Sequence, residues 1–245
     1  MQDSLTLFCL PCAGASASMY LRWRRLLPSW VTLVPVELPG RGSRMDELSK
    51  ESYIDLTQSL CHELAPSLPE QYVLFGHSMG ALLAYGIARG LCSGPSFSPK
   101  ALLVSGCAAP IRQDSQRYIS MQSDAALIAD LGKQGGTPEE VFGNQELLTM
   151  TLDLLRLDYR VCGSFKYSQL PPLPIPIHSF AGRSDEINAA KLNDWRLEST
   201  RICTLDWFDG GHFFLRQSED WFLFVLKKRL MEIRSEVQYE TIASA

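Results

Sequence analysis

Short apolar runs and stretches of helical period take turns along this chain, and that alternation leaves few folds open to it. The runs are Leu5–Leu10, Val31–Val36, Tyr72–Phe75, Ala101–Val104, Ile175–Phe180 and Ile202–Phe208. Each is apolar at consecutive positions and rich in Val, Ile, Leu and Phe, as expected of strands buried on both faces. Between most of them lie helical stretches at Met19–Leu27, Tyr53–Leu64, Met79–Arg89, Ala189–Glu198 and Trp221–Ile233. Parallel strands need such crossovers, so the fold class is α/β, with a mostly parallel, doubly wound sheet.

One interval breaks the pattern. From about Ile111 to Phe165 the apolar positions keep a helical period with no strand, and Gly135-Gly136-Thr137-Pro138 reads as a turn followed by a helix start. A helical insertion after a central strand is expected to form a lid over a pocket, with a simple extra helical layer as the alternative. The stretch Leu170-Pro-Pro-Leu-Pro-Ile-Pro returns the chain to the sheet in an extended conformation, and the polar tail Arg234–Ala245 is expected to fray. With 245 residues, 46% of them hydrophobic, residues 1–245 suit one domain carrying a lid at about 111–165.

No apolar run reaches the roughly 18 to 20 residues that a membrane helix needs. Met1-Gln2-Asp3-Ser4 lacks the positive charge that opens a secretory signal. The 23 basic and 27 acidic residues are interspersed, leaving no basic footprint for nucleic acid. Seven scattered cysteines argue against a disulfide framework and for a reducing, cytoplasmic compartment. Cys9-Leu-Pro-Cys12 has redox spacing but falls inside a strand rather than at a helix start, and no second close pair completes a metal site. These thiols are expected to be inert, with no metal and no cofactor.

The chemistry concentrates at Gly76-His77-Ser78-Met79-Gly80, directly between the strand Tyr72–Phe75 and a helix. That is the nucleophile elbow of an α/β-hydrolase in its required context. The turn lifts Ser78 above the carboxyl ends of the strands, and the helix end offers the Met79 N–H to a developing oxyanion. A serine needs an imidazole base, and the base needs an acid, in the chain order Ser, Asp, His. His62 precedes the elbow, His77 points away from the serine, and His178 lies mid-strand as a core residue. His212, in Asp209-Gly210-Gly211-His212 at a strand's carboxyl end, is the expected base. Asp185, in the loop after Ile175–Phe180, is the expected acid. Asp206 lies inside a strand, and Asp209 reads as a turn former. A second oxyanion donor should come from Pro11-Cys12-Ala13-Gly14-Ala15-Ser16, with Cys12, Ala13 and Gly14 all open on position. Pro39-Gly40-Arg41-Gly42 either borders the pocket or forms a tight turn.

These motifs, with Leu38-Pro39-Gly40-Arg41-Gly42, Gly182-Arg183-Ser184-Asp185 and Gly210-Gly211-His212-Phe213-Phe214-Leu215, make nearly the whole chain resemble the stand-alone (type II) thioesterases of nonribosomal peptide and polyketide synthetases and the related medium-chain fatty-acyl thioesterases. Ala15 departs from the glycine common in that family. Length and motif positions are also similar to the editing thioesterase of hybrid pathways such as colibactin's. The resemblance implies a triad of Ser78, Asp185 and His212, with an oxyanion hole from Met79 and Ala13. It implies hydrolysis of stalled acyl, aminoacyl or peptidyl groups from phosphopantetheine arms of carrier proteins, which are the expected partners of a monomer. Arg22, Arg24 and Arg25 then form either a solvated face or part of a docking surface. A carboxylesterase or lipase would use the same triad. A non-catalytic α/β-hydrolase binding module would usually have lost one of its members, and none is missing.

Overall fold

A computed structural model describes residues 4–94 and 97–243. Six strands, β1 (Leu5–Leu10), β2 (Val31–Pro35), β3 (Tyr72–His77), β4 (Leu102–Ser105), β5 (Ile177–Gly182) and β6 (Cys203–Phe208), form one sheet in the order β2-β1-β3-β4-β5-β6, with every pair parallel. Successive side chains on a strand face opposite ways, and the strands divide accordingly. Phe8, Leu10, Tyr72, Leu74, Leu102 and Val104 join one core, whereas Leu7, Cys9, Val73, Phe75 and Leu103 join the other. The first core is closed by α1 (Tyr53–Leu64) and α2 (Met79–Cys92), and the second by a 3₁₀ segment, Ala17–Arg25, and a long C-terminal helix.

Strand order reverses between β1 and β3. In an open parallel sheet this switch point leaves a crevice at the carboxyl ends, where ligands bind.

The interval between β4 and β5 holds α3 (Ser115–Ser120), α4 (Asp124–Gln134), α5 (Glu139–Gly143) and α6 (Gln145–Ser164). Asp114, Ser123 and Asn144 cap α3, α4 and α6 by accepting backbone N–H groups, and α4 stops at Gly135, whose φ of 69° few other residues adopt. The insertion keeps a small core of its own, Leu127, Leu148, Leu152, Leu155 and Tyr159.

Three local expectations need correction. The stretch read as helix Met19–Leu27 is the 3₁₀ segment Ala17–Arg25, whose buried residues Ala17, Tyr20 and Trp23 recur every third position, the period of that tighter helix. The stretch Ala189–Glu198 divides into α7 (Ala189–Asn193) and a 3₁₀ turn, Asp194–Glu198. After α8 (Phe214–Gln217), the last helix, α9 (Glu219–Ala243), runs well beyond Ile233 instead of fraying, since no Gly or Pro interrupts it. Residues 244 and 245 of that tail, and Met1–Asp3 at the other end, lie outside the described residues.

Candidate active site

Ser78 sits between β3 and α2 with φ 54° and ψ −121°, and it is the one non-glycine residue with positive φ among those described. This costs on the order of 1–3 kcal/mol, and the surroundings hold it. The Ser78 N–H donates to Ser105 C=O at 2.8 Å, and Ser78 C=O accepts the Ala81 N–H at 3.0 Å. Gly76 and Gly80 are required by close approach. A Cβ on Gly76 would lie inside the backbone of Gly80 and Ala81, and one on Gly80 would strike the carbonyls of Leu10 and Pro11.

The loops after β5 and β6 are stitched together. Ser184 N–H donates to Gly210 C=O and Arg183 N–H to Phe208 C=O, both at 2.9 Å. This brings Asp185 to His212, whose Nδ1 lies 2.9 Å from Asp185 Oδ2. Both side chains are largely buried, and His212 Nε2 has no protein partner. Ser78, Asp185, His212, Met79 and Ala13 all line one cavity of about 380 Å³, to which Tyr118, Gln134 and Tyr159 of the insertion also contribute. It lies at the switch point of the sheet.

The remaining candidates fall elsewhere. His77 is fully buried, with Nδ1 3.0 Å from Ser105 Oγ and its ring 5.0 Å from that of His212. Burial, then the neighbouring His212 and Arg216, hold its pKa well below the usual histidine value, so it stays neutral beneath the His212 ring. His178 is buried beside Thr204, Nδ1 to Oγ1 at 2.8 Å. Asp206 is engaged by both Arg229 Nε and Nη2 at 2.9 Å, and Asp209 pairs with Arg183 at the surface. Cys9 and Cys12 are buried and free. Desolvation pushes the Cys12 thiol up to about 12, so neither serves as a ready thiolate.

In the loop after β1, Gly14 N–H donates to Asp158 Oδ2 at 2.7 Å and Ala15 N–H to Cys12 C=O at 3.2 Å. Gly14 therefore drops out as an oxyanion donor, leaving Cys12 and Ala13. The loop Pro39–Gly42 does not line the cavity. It is a tight turn with positive φ at Gly40 and Gly42, and it delivers Arg41 to the buried carboxylate of Asp158. Sequence reading missed that pair, because Asp158 carries no local motif within α6.

The thioesterase domain model matches residues 5–228. The gramicidin S biosynthesis protein GrsT of Aneurinibacillus migulanus is 32% identical over 216 residues, covering 88% of this chain and 84% of that protein. Among solved structures, the type II thioesterase BorB from the borrelidin biosynthetic cluster is 36% identical with a TM-score of 0.83, covering 93% of each chain. ClbQ from the colibactin NRPS/PKS pathway is 28% identical with a TM-score of 0.85, covering 94% of this chain and 98% of that one. Likeness extends across several pathways, so the colibactin system is not singled out. The chain belongs to the thioesterase domain family, within the type II group of nonribosomal-peptide and polyketide pathways, and is a thioester hydrolase.

Proposed function

We propose that the protein removes acyl, aminoacyl or peptidyl groups from the phosphopantetheine arms of carrier proteins, with Ser78 as nucleophile, His212 as base and Asp185 as the acid that orients it. The observation carrying this reading is the 2.9 Å bond between Asp185 and His212 at a cavity that the strained Ser78 also lines.

His212 Nε2 accepts the hydroxyl proton as Ser78 Oγ attacks the thioester carbonyl, and Asp185 holds the other imidazole nitrogen and stabilises the cation that forms. The tetrahedral oxygen receives N–H groups from Met79, at the start of α2, and from Ala13. The pantetheine sulfur then leaves with little acid assistance, because a thiol has a pKa near ~8.5, far below that of an alcohol. Water, deprotonated by His212, attacks the acyl-serine and releases the acid. No cofactor enters this sequence; the tethered arm belongs to the partner.

A pathway that stalls on a wrong acyl group needs a hydrolase of broad acyl tolerance, and editing is the role we assign. We infer a monomer in a reducing, cytoplasmic compartment; the seven free cysteines support the compartment.

A fluorophosphonate probe should label wild-type protein at Ser78 and fail on Ser78→Ala. That variant should fold normally yet lose at least ~10³-fold of the thioester hydrolysis rate. His212→Ala should lose labelling as well. Labelling at another serine, or near-wild-type turnover of Ser78→Ala, would sink the assignment.

A further inference from the structure

Helix α6 of the insertion meets the loops after β1 and β2 around a buried ion pair that takes no part in proton transfer. Arg41 Nη1 and Nη2 donate to Asp158 Oδ2 and Oδ1 at 2.7 and 2.5 Å, and the two side chains are 6% and 2% exposed. Stability alone is a weak reason for such a pair, because apolar replacements of similar volume are often neutral or stabilising. Its other contacts suggest a different reason. Asp158 Oδ2 also accepts the Gly14 N–H at 2.7 Å, and Arg41 Nη1 donates to Ala15 C=O at 3.1 Å.

Cys12–Ala15 form a β-turn closed by Ala15 N–H on Cys12 C=O, with positive φ at Gly14 and none at Ala13, which makes it type II. Types I and II differ by a flip of the central peptide. Here that is the Ala13–Gly14 peptide, whose N–H is the one Asp158 holds. Ala13 also packs against the insertion's core, and Leu155 lies against Gly14. We propose that Arg41 and Asp158 are positioning residues through which α6 holds the Cys12–Ala15 turn in its type II form, fixing the backbone on which the Ala13 N–H, in the preceding peptide, faces the reacting oxygen. This rests on the triad and oxyanion-hole reading above.

The test compares wild type with Arg41→Met/Asp158→Leu, which removes both charges together and leaves neither buried alone. Two ligands are used. One is the trifluoroacetonyl thioether of pantetheine, whose ketone carbon bonds to Ser78 Oγ while its oxygen becomes an alkoxide and the serine proton passes to His212. The other is S-propyl pantetheine, which has no carbonyl at that position. The variant should lose about 10- to 100-fold in kcat and a similar factor in affinity for the ketone. KM and S-propyl affinity should stay within about twofold, and the melting temperature should hold. Unchanged kcat and ketone affinity would overturn the proposal. If the double variant does not fold, Asp158→Asn is read with the same ligands and the same two outcomes. Failure of wild type to bind the ketone through Ser78 would instead strike the triad reading, so the two failures are distinguishable.

Discussion

Ser78 and His178 show how differently single residues use burial. Ser78 is legible from five consecutive residues, because a strained turn between a strand and a helix carries glycine on both sides; the groups that hold it, the Ser105 carbonyl and the Leu10 and Pro11 carbonyls packed against Gly80, are distant in sequence. Asp185 and His212 were legible by position only, each in a loop after a late strand. Their contact depends on the bonds joining the loops, which no pattern in the sequence reveals. His178 is a buried, neutral base whose pKa falls to about 4 through desolvation first and Arg229 second. Its ordinary value is 6.5. Between these values the unfolded chain binds a proton that the folded chain refuses, so its contribution is intact above 6.5 and is lost as pH falls toward 4, by about 3 kcal/mol. His77, shifted in the same direction, adds to the trend. Urea unfolding of His178→Gln should show a shallower loss of stability from pH 6.5 to 4 than wild type. An identical slope would contradict this account of His178.

At the scale of elements, the parallel strands and α1 were legible because continuous apolar runs and a 3.6-residue period are strong signals. The 3₁₀ segment was not, since three buried residues at spacing three also fit a short α-helix. The Arg41–Asp158 pair was hidden for another reason. Its members lie 117 residues apart, and only the folded insertion brings them together. The insertion is unevenly anchored. Helix α6 is tied by Asp158 and carries seven buried residues, whereas α5 has none and α4 has two. Backbone with few buried contacts opens at low free-energy cost. Hydrogen exchange should therefore be fastest in α4 and α5, slower in the half of α6 around Asp158, and slowest in β3, where every residue is buried. Equal protection of α5 and β3 would rule out a gating role for the insertion.

For the molecule as a whole, the open question is what brings the thioester to Ser78. Net charge is −4, so long-range attraction to an acidic partner is absent and any steering must be local. Arg22 pairs with Glu219 at 3.0 Å, which joins the 3₁₀ segment to the start of α9, while Arg24 and Arg25 are exposed beside it. Exposed charges of this kind act mainly on encounter rate and are screened within about 10 Å at 0.1 M salt. The proposed function turns on hydrolysis of acyl groups borne on a carrier protein. Its most direct test is kcat/KM for one short acyl group presented on a holo carrier protein and on free pantetheine, at low and high salt. A clear preference for the carrier at low salt, shrinking as salt is added, is the expected result. Equal kcat/KM for the two substrates at low salt would contradict carrier recognition and leave a general acyl-thioesterase.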